Sequence, residues 1–223
     1  MEKNKLKVSL VFNIIIVLMT AFATVVMFTG FKFMHGYDVV LESTRLGMFR
    51  FFTVQSNILM GIVALYFAIK EVKLLQGKIK EIPLRDYVLK LTATTSVALT
   101  FVVVFTYLGP IAKNGILSLL MNSNLFFHLF IPVISIITFI LLENNKNINI
   151  KYTLFGLVPT LLYEFYYLTN VLIHMESNTV SVEYDWYYFV QNGVSSALFV
   201  APLMLVVTFI LALILWFVNK KTK

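Results

Sequence analysis

The residues of this chain with chemical potential are a threonine, a histidine and a set of amides, all inside stretches apolar enough to cross a bilayer. Thr53, Gln55, Ser56 and Asn57 interrupt the run Phe51–Ile69, and Asn124 and His128 interrupt the run Ile116–Leu142. Thr53, Ser56 and Asn57 stand at i, i+3 and i+4, so they share one face of a helix. Polar side chains in hydrocarbon cost free energy unless another helix supplies partners, which turns such a face toward the bundle interior. A threonine hydroxyl beside an imidazole is a nucleophile–base pair. The ring nitrogen takes the hydroxyl proton, and neighbouring amides donate to the developing oxyanion. A membrane cavity open toward lipid suits an acyl-chain substrate.

A second set lies in the run Tyr152–His174, which carries Thr160, Tyr163, Glu164, Tyr167 and Asn170. His128 and Glu164 are read as the ionisable residues deepest in apolar sequence, tyrosines aside, and such groups mark functional sites by default. Thr53 enters its run from the outer side, about three residues in. If the fourth helix starts near Leu125, after Asn122-Ser123-Asn124, His128 stands at nearly the level of Thr53. If it starts at Ile116, His128 drops to the level of Glu164. Glu164 lies about nine residues below the outer end of its helix, or roughly 13 Å. It is expected to face the interior as the floor of a cavity shared with Thr53. Packing by interhelical hydrogen bonds is the plain alternative for every Ser and Thr in these stripes.

These residues must be positioned by membrane helices. Hydrophobic residues make up 59% of the 223 and charged residues 13%, where a soluble domain carries about a quarter charged. Six apolar runs reach the roughly 18 residues that span a ~30 Å hydrocarbon core: Val8–Gly30, Phe51–Ile69, Leu89–Leu108, Ile116–Leu142, Tyr152–His174 and Phe189–Val218. The expected fold is all-α, a single six-helix transmembrane bundle. The first run is too long for a signal-peptide core and reads as a retained helix. Fourteen lysines and arginines fall on one side of a six-helix topology and four on the other, which predicts cytoplasmic N- and C-termini. Net charge +7 is thus a topology signal with some attraction to anionic lipid, not the mark of a nucleic-acid binder. Fifteen lysines against three arginines, with abundant Ile, Asn and Phe, point to an A·T-rich genome and a bacterial plasma membrane.

The loops add little chemistry. The stretch KEVKLLQGKIKEIPLRDY reads as a short amphipathic helix on the inner surface. Gly109-Pro110 is expected to stop the third helix. Tyr184, Trp186, Tyr187 and Tyr188 look like an interfacial aromatic belt. The last run offers Gln191 and Ser195 as polar positions. With no cysteine and only three histidines, nothing points to a metal or a cofactor.

The block Phe-Phe-Thr-Val-Gln-Ser-Asn-Ile-Leu at 51–59, followed by Phe-Phe-His-Leu-Phe-Ile-Pro at 126–132, resembles the androgen-induced protein family and its bacterial relatives. These are small multi-helix membrane proteins, some of which act as threonine hydrolases on fatty-acid esters of hydroxy fatty acids. The resemblance implies Thr53 and His128 as the catalytic pair, with Asn57 and Pro132 as accompanying motif residues. It covers about a fifth of the chain in specific motif. Local spacing around both residues differs from the animal members, and Val182–Trp186 is only a loose counterpart of an outer Pro-and-Asp motif.

The expected function is therefore an integral membrane hydrolase of lipid esters, with membrane lipids as its surroundings. Gln55, Ser56, Asn57, Asn124, Glu164, Tyr163, Tyr167 and Asn170 would line the cavity or support the oxyanion. The alternatives are a small-solute-binding subunit of an uptake transporter and a non-catalytic scaffold.

Overall fold

The structure is a computed structural model that describes residues 3–37, 41–177, 179–190 and 193–222, with Val194 as backbone only. Gln191 lies outside the described residues. The described residues form an all-helical architecture of six principal helices. They are α1 (Lys3–Thr29), α2 (Phe52–Leu75), α3 (Leu84–Ile111), α4 (Ser123–Leu142), α5 (Val158–Ile173) and α6 (Val194–Lys221). A 3₁₀ turn, Arg45–Arg50, leads into α2, and a 3₁₀ helix, Ile150–Leu157, leads into α5. By length and composition α1, α3, α4 and residues Ser195–Lys221 of α6 are each able to cross a membrane.

Polarity is arranged as hydrocarbon surroundings demand. The outward faces are apolar: Leu18 and Val25 on α1, Phe165 (76% exposed) on α5 and Leu198 (74% exposed) on α6. The polar residues of α1, Ser9, Asn13 and Thr20, are buried. With no water outside to serve them, such groups are satisfied only by facing other helices. Small residues set the closest approaches. A Cβ on Gly61 of α2 would lie 2.7 Å from Cγ2 of Thr20 on α1, so only glycine lets these helices meet there. Residues 93–100 of α3 are buried all round, because Ala, Ser and Thr let neighbours close on every side.

Prolines shape the site-bearing helices. Pro132 has no N–H to give the carbonyl one turn earlier, that of His128, and the turn Phe126–Phe130 widens into a π segment. Pro110 is likewise preceded by a π segment at Val104–Leu108, and α3 ends just beyond it at Ile111.

Several boundaries differ from the sequence reading. The run from Ile116 is not one helix: Gly115–Ser118 forms a separate turn, and α4 begins at Ser123. Asn122, at φ +52°, breaks the chain there, and its Oδ1 accepts from the N–H groups of Phe33 and Met34, both at 2.8 Å. The inner loop is shorter than expected, because α2 continues to Leu75 and α3 begins at Leu84. The residues between them form turns, so the expected amphipathic surface helix is absent. Glu71, assigned to that loop, and Lys90, second residue of the third run, both lie inside the bundle with 0% exposure.

Candidate functional site

Thr53 stands in the first turn of α2 and is buried. Its carbonyl accepts from the Asn57 amide at 2.7 Å and from the Ser56 hydroxyl at 3.1 Å. The Asn57 amide nitrogen also donates to the carbonyl of Phe127 at 3.0 Å. One side chain thus ties the backbone of Thr53 to the residue preceding His128, and holds the two helices side by side at that level. Ser56 shares a hydrogen bond of 3.0 Å with Thr100 of α3. Gln55 is exposed and turns away, its amide donating to the carbonyl of Phe49 at 2.7 Å.

His128 is fully buried in the π segment of α4. Its Nδ1 lies 2.5 Å from the carbonyl oxygen of Leu119, which makes Nδ1 the protonated nitrogen. Nε2 has no hydrogen-bond partner. The imidazole is therefore held in the tautomer that leaves Nε2 able to accept a proton, but it does not bond the Thr53 hydroxyl. Asn124, one turn earlier in α4, is buried as well.

A cavity of about 690 Å³, open mouth included, lies between the start of α2 and helices α3, α5 and α6. It is a narrow slot in which the centre of a water-sized sphere has only about 70 Å³ to move. Leu99, Val103, Val104, Ala197, Val200 and Met204 form its apolar walls. Its polar groups are Thr53, Thr100, Thr160, Tyr163, Glu164, Tyr167 and Tyr187. Glu164 and Thr53 thus share one cavity, while His128 stands behind Thr53 and outside the lining. Oε1 of Glu164 is buried and has no partner.

The polar part of the slot joins Tyr163 and Tyr167, which the sequence singled out, to Arg50, Asp185, Trp186 and Tyr187, which it did not place in a site. Tyr187 accepts from the backbone N–H of Phe52 at 2.9 Å and lines the slot together with Thr53 and Tyr163. Tyr163 donates to the carbonyl of Arg50 at 2.7 Å and accepts from Trp186 Nε1 at 3.0 Å. The guanidinium of Arg50 lies over the rings of Phe51 (4.9 Å) and Trp186 (5.5 Å). Asp185, also buried, accepts from the backbone N–H groups of Phe189 (2.9 Å) and Val190 (3.0 Å) and from the Tyr167 hydroxyl. Trp186 and Tyr187 are each 5% exposed. They do not form the expected interfacial belt, because their polar atoms have partners inside. Asn170 lies outside the slot and donates to the carbonyl of Tyr184 at 3.0 Å.

Chemically, the arrangement offers a hydroxyl in the lining of a largely apolar slot, a phenol, Tyr187, that can donate to an oxygen held there, and an imidazole nitrogen without a partner on the next helix. Comparison of the chain with protein-family models, with curated proteins and with solved structures gives no match.

Proposed function

We propose that this protein is a six-span integral membrane hydrolase of lipid esters, with both termini cytoplasmic, that takes an acyl chain into the slot and presents its ester to Thr53. The observation that carries this reading is the narrow, largely apolar slot whose lining includes Thr53. An extended hydrocarbon tail suits such a shape, whereas a compact polar solute needs a wider cavity with more polar contacts. In the reaction the Thr53 oxygen attacks the ester carbonyl and its proton passes to Nε2 of His128. The alcohol leaves with that proton, and water then releases the fatty acid from the acyl-threonine by the reverse route. Tyr187, which accepts from Phe52 and keeps its own proton, is the donor for the carbonyl oxygen, and Arg50 supplies positive charge at that end. The Thr53–His128 contact must form in the substrate complex, as catalytic hydrogen bonds do in many enzymes.

A second reading has its own support. Nε2 of His128 has no partner and does not bond the Thr53 hydroxyl, as expected of a protein that binds an amphiphile without cleaving it. Turnover of a long-chain ester by purified protein separates the two. Hydrolysis lost in Thr53→Ala and His128→Ala supports the enzyme. Retention of a fluorescent fatty acid without turnover supports the binding protein.

A further inference from the structure

At the opposite end of the bundle from Thr53, five helices converge on a buried charge cluster that the hydrolase chemistry does not use. Lys90 of α3 is 0% exposed, Glu71 of α2 0%, and Glu143 at the end of α4 1%. Lys90 Nζ lies 3.0 Å from Oε1 of Glu143 and donates to Oδ1 of Asn13 on α1. The Asn13 amide nitrogen donates to both carboxylates, at 2.8 Å to Glu143 and 3.1 Å to Glu71. Asn219 of α6 donates to the backbone carbonyl of Glu143 at 3.0 Å.

The charges do not balance. Among the described residues, Lys90 is the one buried lysine or arginine, and it faces two carboxylates. The charged groups nearby are engaged elsewhere. Lys70 pairs with Asp86 at 3.4 Å, and Lys5 donates to Asn144. Tyr87, on the same side of α3, is neutral when protonated. An uncompensated carboxylate buried in this way costs several kcal/mol, and such a group neutralises instead. One oxygen of each carboxylate, Oε1 of Glu71 and Oε2 of Glu143, is buried without a partner. Two free oxygens are too few to replace the shell of a metal cation, but they suffice for a proton.

A route to water lies beside them. A polar pocket of about 1010 Å³, open mouth included, is lined by Leu6, Leu74, Tyr87 and Asn145, together with Lys80 and Glu81. Leu6 stands three residues from Ser9, whose hydroxyl donates to Oε1 of Glu143 at 3.4 Å; Leu74 and Tyr87 stand three from Glu71 and Lys90, and Asn145 two from Glu143. The pocket is thus a vestibule about one helical turn from the cluster on every element.

We propose that Glu71, Glu143 and Lys90 form a proton-binding site at the base of this vestibule, where the two carboxylates hold one exchangeable proton. The test is infrared spectroscopy of the carboxylic-acid C=O stretch, on full-length protein in lipid nanodiscs. Glu71→Gln and Glu143→Gln each leave one carboxylate for one lysine, so each should remove one acid equivalent from the spectrum, equally in sodium-free and sodium-containing buffer. Spectra of both variants identical to the parent overturn the site. So does an acid band that appears only when sodium is withdrawn, since a metal cation would then be the ligand. Should neither variant fold, Glu164→Gln, Asp86→Asn and Asp185→Asn provide the second readout. They remove the half-buried carboxyl of Glu164 and the other two buried carboxyls in turn, yet each must keep an acid band at neutral pH that bleaches in strong alkali; its loss in any of the three contradicts the proposal.

Discussion

At the scale of single residues, the account assigns separate tasks to groups that look alike in the sequence. Thr53 carries the bond-making oxygen, so Thr53→Ala should lower ester hydrolysis by orders of magnitude, and Thr53→Ser should keep part of it. His128→Ala should fall as far as Thr53→Ala, with no further loss in the double variant, because nucleophile and base act as one unit. Steady-state rates on a long-chain ester check both. Glu164 sits in the slot wall with one oxygen buried and unpartnered. Glu164→Gln should preserve folding while changing the KM for an acyl substrate, and Glu164→Leu should disturb both. A KM unchanged in Glu164→Gln would show that ligand does not pass that residue. The sequence made Thr53, Asn57, His128 and Glu164 legible because polar groups stand out against hydrocarbon. Arg50, Asp185 and Tyr187 were not legible as site residues, because they lie in loop-like sequence where such residues are ordinary, and only the folding of the last outer segment brings them over the slot.

At the scale of elements, α2 and its contacts decide the geometry. Gly61 permits α1 and α2 to touch at Thr20, and Gly61→Ala should cost about 1–3 kcal/mol through overpacking, read as a lower thermal midpoint in detergent. Asp185 accepts from three buried donors. Its replacement by Ala leaves them unsatisfied, at a cost on the order of 3 kcal/mol, and should loosen the aromatic roof of the slot. Proteolysis of the outer segment before α6 should speed up in Asp185→Ala and not in the parent. Apolar run length revealed the number of long helices, but not their ends. Glu71 read as a loop charge, and Lys90 as a charge at the mouth of its run, because a linear hydropathy profile cannot see that Asn13 and Glu143 await them across the bundle. The start of α4 was open between two registers in sequence, and Asn122, whose amide is bonded to Phe33 and Met34, fixes it at Ser123.

At the scale of the whole molecule, an apolar exterior around polar seams follows from solvent as much as from sequence, since lipid cannot serve a hydroxyl or an amide. The bias of fourteen basic residues against four predicts the orientation. Reporter fusions after Lys80 and after Lys221 should report cytoplasm, and one after Glu176 should report the outside. An outside signal at Lys80 would contradict the six-span arrangement and exchange the two faces. In the predicted orientation, Thr53 lies in the outer half of the membrane and the Lys90 cluster near the cytoplasmic face. The central claim is that Thr53 is a nucleophile in the lining of an acyl-chain slot. Its most direct test is mass spectrometry of the protein after treatment with a long-chain alkyl fluorophosphonate. The account predicts a single adduct on Thr53, suppressed by excess long-chain ester and absent in His128→Ala; a folded protein that stays unmodified at Thr53, or is modified there equally well without His128, contradicts it.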